Sequence, residues 1–362
     1  ICLYEILYLY LDMKDKVRIG YACVNMTLTS RPKKYGGKVT TSRTARKATW
    51  YPDNLSVLSE RALANAKDLL HYLQWNEENK IRLFRIGSEL FPWHDHYELD
   101  QLPDYEEICD ALGKAGDYAR EHNHRLTTHP GPFHVLGSPT MDVVDRSIVS
   151  LERHSQLFDL LGYAPSYDNK INIHIAGAYG DRESTAKRWI NGYNRLSDEC
   201  KARLVVENDD KPSLYSVKQL YELFHQKIGI PITFDYFHHT FHTDELTERE
   251  ALEMAGSTWP SDVVQCCHYS ESRRIEKKAY LAEVCSKHNI EWDQIDEWPT
   301  FAKYKKEFSK IREQAHADYV LDPIENYGHR IDVVLEAKAK ELAVFKYRDI
   351  YTKKKRKISY ER

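Results

Sequence analysis

A chain of 362 residues with 42% hydrophobic and 12% aromatic residues can bury a large core, and no part of it reads as collagen-like, mucin-like or disordered. A formal net charge of −3 argues against non-specific polyanion binding by the whole surface, so a contact with nucleic acid would have to come from local basic patches. Seven cysteines, odd in number and without a C-x-x-C pair, exclude a disulfide framework and a zinc ribbon and fit a reducing, intracellular compartment.

The segment Ile1 to Leu11 is apolar and Tyr-rich, but it is too short to span a bilayer and carries Glu5, so residues 1–16 read as an extension with no membrane role. Val17 to Tyr21 is a short β-type run, followed by a polar stretch through Thr49 with too little periodicity for a helix. That stretch holds Arg31-Pro-Lys-Lys34, Arg43, Arg46 and Lys47, which could contact phosphates. Apolar residues at Leu58, Leu63, Leu69, Leu70 and Leu73 predict a helix to Trp75, and Ile81 to Ile86 predicts a second strand.

The alternation continues with helix 105–122, strand 125–128, helix 141–161, strand 171–175, helix 184–194 and strand 203–206. Helix 214–225, strand 232–234, helix 247–255, strand 263–267, strand 331–335 and a final helix 337–345 complete it. Eight strands separated by helices, with no composition break, predict a single TIM-type (β/α)8 barrel over residues 17–348. The charge-rich segment 276–312 reads as a helical insertion between strands seven and eight, and 349–362 reads as a basic tail around Lys353-Lys-Lys-Arg-Lys357.

Barrel enzymes build their sites at the C-terminal ends of the strands, so the residue at each end is informative. Those ends carry His129, His174, Glu207, Asp235 with His238, His268 and Glu336. His96 in the loop after strand two and His316 before strand eight bring the candidate ligands to nine. In the stretch Ile232 to Thr240, Asp235 reads either as a cap for the next helix or as a ligand, and the recurrence elsewhere favours the ligand. Mixed imidazole and carboxylate donors in this number suit two or three Mn²⁺, Zn²⁺ or Fe²⁺ ions. Clustered ions favour in-line displacement at phosphorus, with Glu207, Asp235 and Glu336 acting through the metals. The alternatives are a sugar isomerase or epimerase on the same barrel, which needs fewer histidines, and a metal-binding protein without catalysis.

Ten segments in order then carry a family resemblance: Arg18-Ile-Gly-Tyr-Ala-Cys-Val-Asn25, Thr41-Ser-Arg-Thr44, Phe84-Arg-Ile-Gly87, His129-Pro-Gly131, His174-Ile-Ala-Gly-Ala-Tyr-Gly180, Glu207-Asn-Asp209, Asp235-x-x-His-His239, His268-Tyr-Ser270, Ala315-His-Ala-Asp-Tyr319 and Glu336-Ala-Lys338. Together they resemble the motif series of the UV damage endonucleases, repair enzymes related in fold to endonuclease IV. The resemblance implies a DNA-associated enzyme that nicks duplex DNA 5′ of UV photoproducts, cyclobutane dimers and 6-4 products included, with a Mn²⁺-type centre of two or three ions. It implies the same nine ligands, a monomer, and no obligatory protein partner.

The resemblance also implies that Tyr21 and Asn25 contact DNA around the lesion, with Arg43 and Arg46 holding phosphates. Where the family usually carries Gln-Tyr to probe the damaged site, this chain has Pro132 and Phe133, of which Phe133 can still insert and stack. Where the family often carries a lysine beside the metals, this chain has Cys266. His239 is expected to neighbour the centre without ligating it.

Overall fold

Strand β8 (Ile331–Leu335) has five consecutive buried residues, as expected of a parallel strand covered on both faces. The computed structural model describes residues 17–291 and 306–360. Its other strands are β1 (Val17–Ala22), β2 (Leu83–Ile86), β3 (Arg125–Thr128), β4 (Ile171–His174), β5 (Leu204–Glu207), β6 (Ile232–Thr233) and β7 (Gln265–Tyr269). All pair in parallel in the order β6-β5-β4-β3-β2-β1-β8-β7. The two edges meet at a single parallel bridge between Asp235 and His268, where the His268 N–H donates to the Phe234 carbonyl at 2.9 Å. The eight strands thus make a nearly closed barrel, as expected, and its seam falls on two of the candidate ligands.

Helices cover the outside. Leu58, Ala62, Ala66, Leu69 and Leu73 form the buried stripe of helix Leu55–Glu78, which packs on helix Tyr105–Glu121 through residues such as Ile108, Leu112 and Ala115. Helices Met141–Leu160, Arg182–Asn194 and Glu248–Gly256 follow β3, β4 and β6. Between β5 and β6 the expected helix is broken into Val217–Leu220, a π-turn over Tyr221–His225, and Gln226–Ile228. No helix among the described residues is long and apolar enough to cross a membrane.

Several local expectations change. The polar stretch after β1 contains a helical turn, Met26–Thr29, because the Asn25 side chain accepts the Leu28 N–H at 2.8 Å and caps it. The last helix runs Glu341–Tyr360, so the basic stretch read as a tail continues a helix. Helix Arg273–His288 follows β7 and covers the start of the segment read as an insertion. Residues 292–305 of that segment, the extension 1–16, and residues 361–362 lie outside the described residues.

The barrel interior is polar in layers. At its N-terminal end the buried Arg125 bonds to Asp332 at 2.8 Å and to the carbonyls of Asp168 and Val264, and Arg18 reaches the same carboxylate from outside. One layer higher, buried Lys170 donates to Thr233 Oγ1 at 2.7 Å and to the Cys266 carbonyl at 3.2 Å. Above it stand Asn172 and Glu207, at the mouth.

Strands β1 and β2 approach so closely at Gly20 that an added Cβ would lie 2.0 Å from the Leu83 carbonyl oxygen. Gly20→Ala should therefore lower unfolding stability by about 3 kcal/mol, because the clash is with backbone that cannot rotate away. Urea unfolding measures this, and a midpoint like that of the parent would contradict the packing described for this seam.

Candidate metal centre

The side chains at the strand ends converge on Glu207. Its carboxylate is wholly buried and accepts hydrogen bonds from Asn172 Nδ2 and from His268 Nδ1, the latter at 3.0 Å. His129 Nε2 is 3.2 Å from Glu207 Oε2, His174 Nε2 is 3.8 Å from the same oxygen, and His238 Nδ1 is 3.6 Å from Oε1. Glu336 joins through His268 Nδ1 at 3.4 Å and brings in His316, whose Nε2 is 3.8 Å from its second oxygen. Asp235 joins through the barrel seam and through His238, whose Nδ1 is 3.8 Å from Oδ2. The structure thus brings together His129, His174, Glu207, Asp235, His238, His268, His316 and Glu336.

The ninth, His96, stands apart. No hydrogen bond or ion pair among the described residues joins it to this cluster; its ring packs edge-on against Trp50 and Trp93 at 5.4 and 5.7 Å, and its nearest carboxylate is Asp95 at 4.0 Å. His239 also turns away, with Nε2 on the Leu246 carbonyl at 3.2 Å and its ring against Phe234.

Outer partners orient the rings. His129 Nδ1 donates to the Pro130 carbonyl at 3.0 Å, His316 Nδ1 lies 2.7 Å from Ser270 Oγ, and His174 Nδ1 lies 3.1 Å from Asp209 Oδ1. Each thereby turns Nε2 toward a carboxylate, the arrangement metal-binding histidines adopt. Arg85 pairs with Glu336 and holds that carboxylate in the barrel mouth.

Two features fit a cation. His129 is kept neutral by burial, and its Nδ1 carries the hydrogen, so Nε2 presents a lone pair to a carboxylate oxygen that also has no hydrogen. A positive ion between them removes the repulsion. The second feature is Asp235, whose Oδ1 accepts the His238 N–H at 2.8 Å and caps the turn Tyr236–His239, while buried Oδ2 has no hydrogen-bond partner among the described residues. One oxygen of Asp235 therefore caps the turn, and the other is left free for the ligand reading. Ligand atoms also come within 4.8 Å of one another in three overlapping groups: His129 with His268 and Glu336, His129 with His174 and Glu207, and Glu207 with Asp235 and His268.

The electrostatics agree with this shape. Burial works to raise Glu207, but His268, His174 and the hydrogen bond from His268 outweigh it and hold the carboxylate well below the usual range. Burial also disfavours charge on His174, yet Glu207 and Asp209 lift it to about 10, whereas burial pushes His268 down to about 3 and leaves it a neutral donor. Asp235 is pushed up to about 7, first by burial and then by the Glu207 and Glu336 charges, with His238 opposing.

Three residues escaped the reading of strand ends. Lys170 reaches His268 Nε2 at 3.4 Å from the start of β4, so a lysine does approach the centre near Cys266, but from another strand. Its signal was the alternation Lys170, Asn172, His174 on one face of β4. Tyr179 is 52% exposed on the loop after β4, held at positive φ with the Arg188 guanidinium 5.6 Å from its ring centroid. Ser150 is the third, and it binds two histidines outside the cluster.

The expected DNA contacts divide. Phe133 is 85% exposed beside exposed Pro132, and Arg46 is exposed. Tyr21 and Asn25 are fully buried: the Tyr21 hydroxyl donates to Asn76 Oδ1 at 2.8 Å and accepts from Asn25 Nδ2 at 2.9 Å. Arg43 is committed to Asp68 at 2.5 Å and to the Thr40 carbonyl, so it holds its own loop. The packing of helix Leu55–Glu78, which supplies Asn76 and Asp68, keeps Tyr21 and Asn25 inside and ties the half-buried Arg43 to its own loop.

Asp235→Asn tests the charge balance, since Asn keeps the capping oxygen and removes the ionisable one. Asp235 rises from its ordinary 3.8 to about 7 in the folded protein, so its ionisation costs stability progressively between these values. Metal-free Asp235→Asn should therefore melt above the parent at pH 8 and match it below about pH 4. Mn²⁺ near 100 times its Kd should stabilise the parent by about 2.7 kcal/mol and the variant far less. A variant that melts below the metal-free parent at pH 8 would refute the crowding of charge at Asp235.

Comparison with known proteins follows the same lines. The family model described as UV-endonuclease UvdE matches residues 17–360. A UV-damage endonuclease of Neurospora crassa is 34% identical over 308 residues, covering 72% of this chain and 45% of the relative. A UV-damage endonuclease of Schizosaccharomyces pombe is 31% identical over 336 residues, covering 91% of this chain and 49% of the relative. The chain thus spans about half the length of these relatives. The crystal structure of SacUVDE shares the fold, with a TM-score of 0.71 at 24% identity, over 93% of this chain and 98% of that one. The chain belongs to the UvdE family of UV-endonucleases.

Proposed function

We propose that this chain is a metal-dependent DNA repair endonuclease that nicks the phosphodiester 5′ of UV photoproducts in duplex DNA. The observation that carries the reading is the cluster around Glu207, eight donor side chains turned toward one another at the barrel mouth of a UvdE-family chain. The sugar isomerase alternative loses its support with the family match and the number of histidines.

Glu207, Asp235 and Glu336, with His129, His174, His238, His268 and His316, would hold two or three divalent ions, for which Mn²⁺ is the expected metal. Such ions supply Lewis-acid polarisation of a phosphate oxygen and charge neutralisation along an in-line displacement. The chain's own part is to keep the donors in the correct form. Burial keeps His129 and His268 neutral, and the surrounding cations keep Glu207 and Glu336 ionised. His96, on the loop after β2, is the ninth expected ligand.

On the DNA side, Phe133 is the wedge. An unstacked photoproduct costs less to displace than a normal pair, and an exposed aromatic can fill the vacated stack. Tyr179 offers a second ring on the neighbouring loop, and Arg46 with Lys47 offers phosphate contacts. The protein would act as a monomer on damaged duplex, inside the cell.

Irradiated and unirradiated plasmid incubated with the purified chain and Mn²⁺ provide the test. Nicking confined to irradiated plasmid, abolished by EDTA and by Glu207→Ala, is the expected result; equal inactivity on both, with Mn²⁺ present, would overturn the reading. Phe133→Ala should reduce the preference for irradiated duplex by about 1–3 kcal/mol, the usual worth of one base–aromatic stack. Competition binding between the two duplexes measures it, and an unchanged preference removes Phe133 from lesion recognition.

A further inference from the structure

Outside the cluster around Glu207, two loops meet at one hydroxyl. Ser150 is buried in helix Met141–Leu160, with Oγ 2.8 Å from His94 Nε2 and 2.6 Å from His134 Nε2. His94 lies two residues before His96, on the connection that follows β2, and His134 directly follows Phe133, on the connection that follows β3. His154, one turn further along the same helix, stands edge-on to both rings at 4.9 and 6.1 Å.

Each of the two imidazoles spends Nδ1 on a backbone carbonyl, His94 on Phe91 at 3.1 Å and His134 on Gly131 at 2.6 Å. A carbonyl cannot donate, so both Nδ1 atoms carry the hydrogen and both Nε2 atoms of the neutral rings are acceptors. The Ser150 hydroxyl has one hydrogen to give. It can serve one loop or the other, never both. The loop after β3 has a second anchor, the Val135 N–H on Ser147 Oγ at 2.9 Å, so loss of its share of Ser150 loosens it without releasing it.

We infer that Ser150 is a positioning residue that divides one hydroxyl hydrogen between the loop carrying His96 and the loop carrying Phe133, so that firmer tethering of one loosens the other. The inference rests on the function proposed above, in which the first loop serves the metals and the second serves the lesion. Ser150 touches neither, and its effect passes through His94 and His134.

The test uses the full chain with Ser150→Ala, Ser150→Thr and His134→Ala, and two readouts that need no turnover. One is the affinity for Mn²⁺ alone by calorimetry; the other is the preference for irradiated over unirradiated duplex of one sequence, measured in EDTA. Ser150→Ala should weaken both by about fivefold, the effect of one lost neutral hydrogen bond, and Ser150→Thr should restore both. His134→Ala leaves the hydrogen to His94 permanently, so it should lower the preference for irradiated duplex while Mn²⁺ affinity stays level or rises.

Opposite responses of the two readouts in His134→Ala support the inference even where Ser150→Ala fails to fold. Parallel losses in His134→Ala, or no change in Ser150→Ala, would overturn it. A parent chain that neither binds Mn²⁺ nor prefers irradiated duplex defeats the proposed function and this inference together. A parent with both properties and variants without effect defeats the inference alone.

Discussion

The buried Glu207 carboxylate is the constraint around which the barrel mouth is arranged. A wholly desolvated carboxylate is costly unless it is paired and hydrogen-bonded. Here it is approached by His268, His129, His238 and His174, and held from below by Asn172. Two further carboxylates, Asp235 and Glu336, share the same small volume, and Arg85 pairs with Glu336. In the metal-free protein the unfavourable charge falls on Asp235, where a divalent ion would add stability.

The fold serves that constraint directly. The contact that closes the sheet is made between Asp235 and His268, so the closed barrel sets two of the cluster's side chains next to each other. Beneath the mouth, Lys170 and the Arg125–Asp332 pair fill the interior with hydrogen-bonded polar groups. Aromatic residues on the loops after β3 and β4, Phe133 and Tyr179, stand exposed beyond the strand ends that bear His129 and His174.

Much of this was legible in the sequence because a parallel barrel puts all its strand ends on one face. Alternation along a strand and the residue that ends it were enough to bring His129, His174, Glu207, Asp235, His238, His268 and Glu336 to one place. Residues whose position depends on loops were not legible in that way. His96 is set by its packing on Trp50 and Trp93, and Arg43 by an aspartate on a helix it meets only in three dimensions. Tyr21 and Asn25 were expected to contact DNA, but Asn76 of the covering helix accepts from the Tyr21 hydroxyl and both are buried. Lys170 left a signal in the alternation of β4, visible once the interior of the strand is read as well as its end. For Asp235 the choice between cap and ligand could not be made from sequence because the residue has two oxygens: one caps the turn, and the other has no hydrogen-bond partner among the described residues.

On the proposed function, the Glu207 cluster would hold divalent ions. Crystals of the chain equilibrated with Mn²⁺ and measured at the manganese absorption edge test it most directly. The account predicts anomalous peaks in contact with the Glu207 carboxylate and with the free Asp235 Oδ2, displacing the imidazole contacts that now surround Glu207. Anomalous density confined to the protein surface, with the Glu207 and Asp235 contacts unchanged, would contradict it.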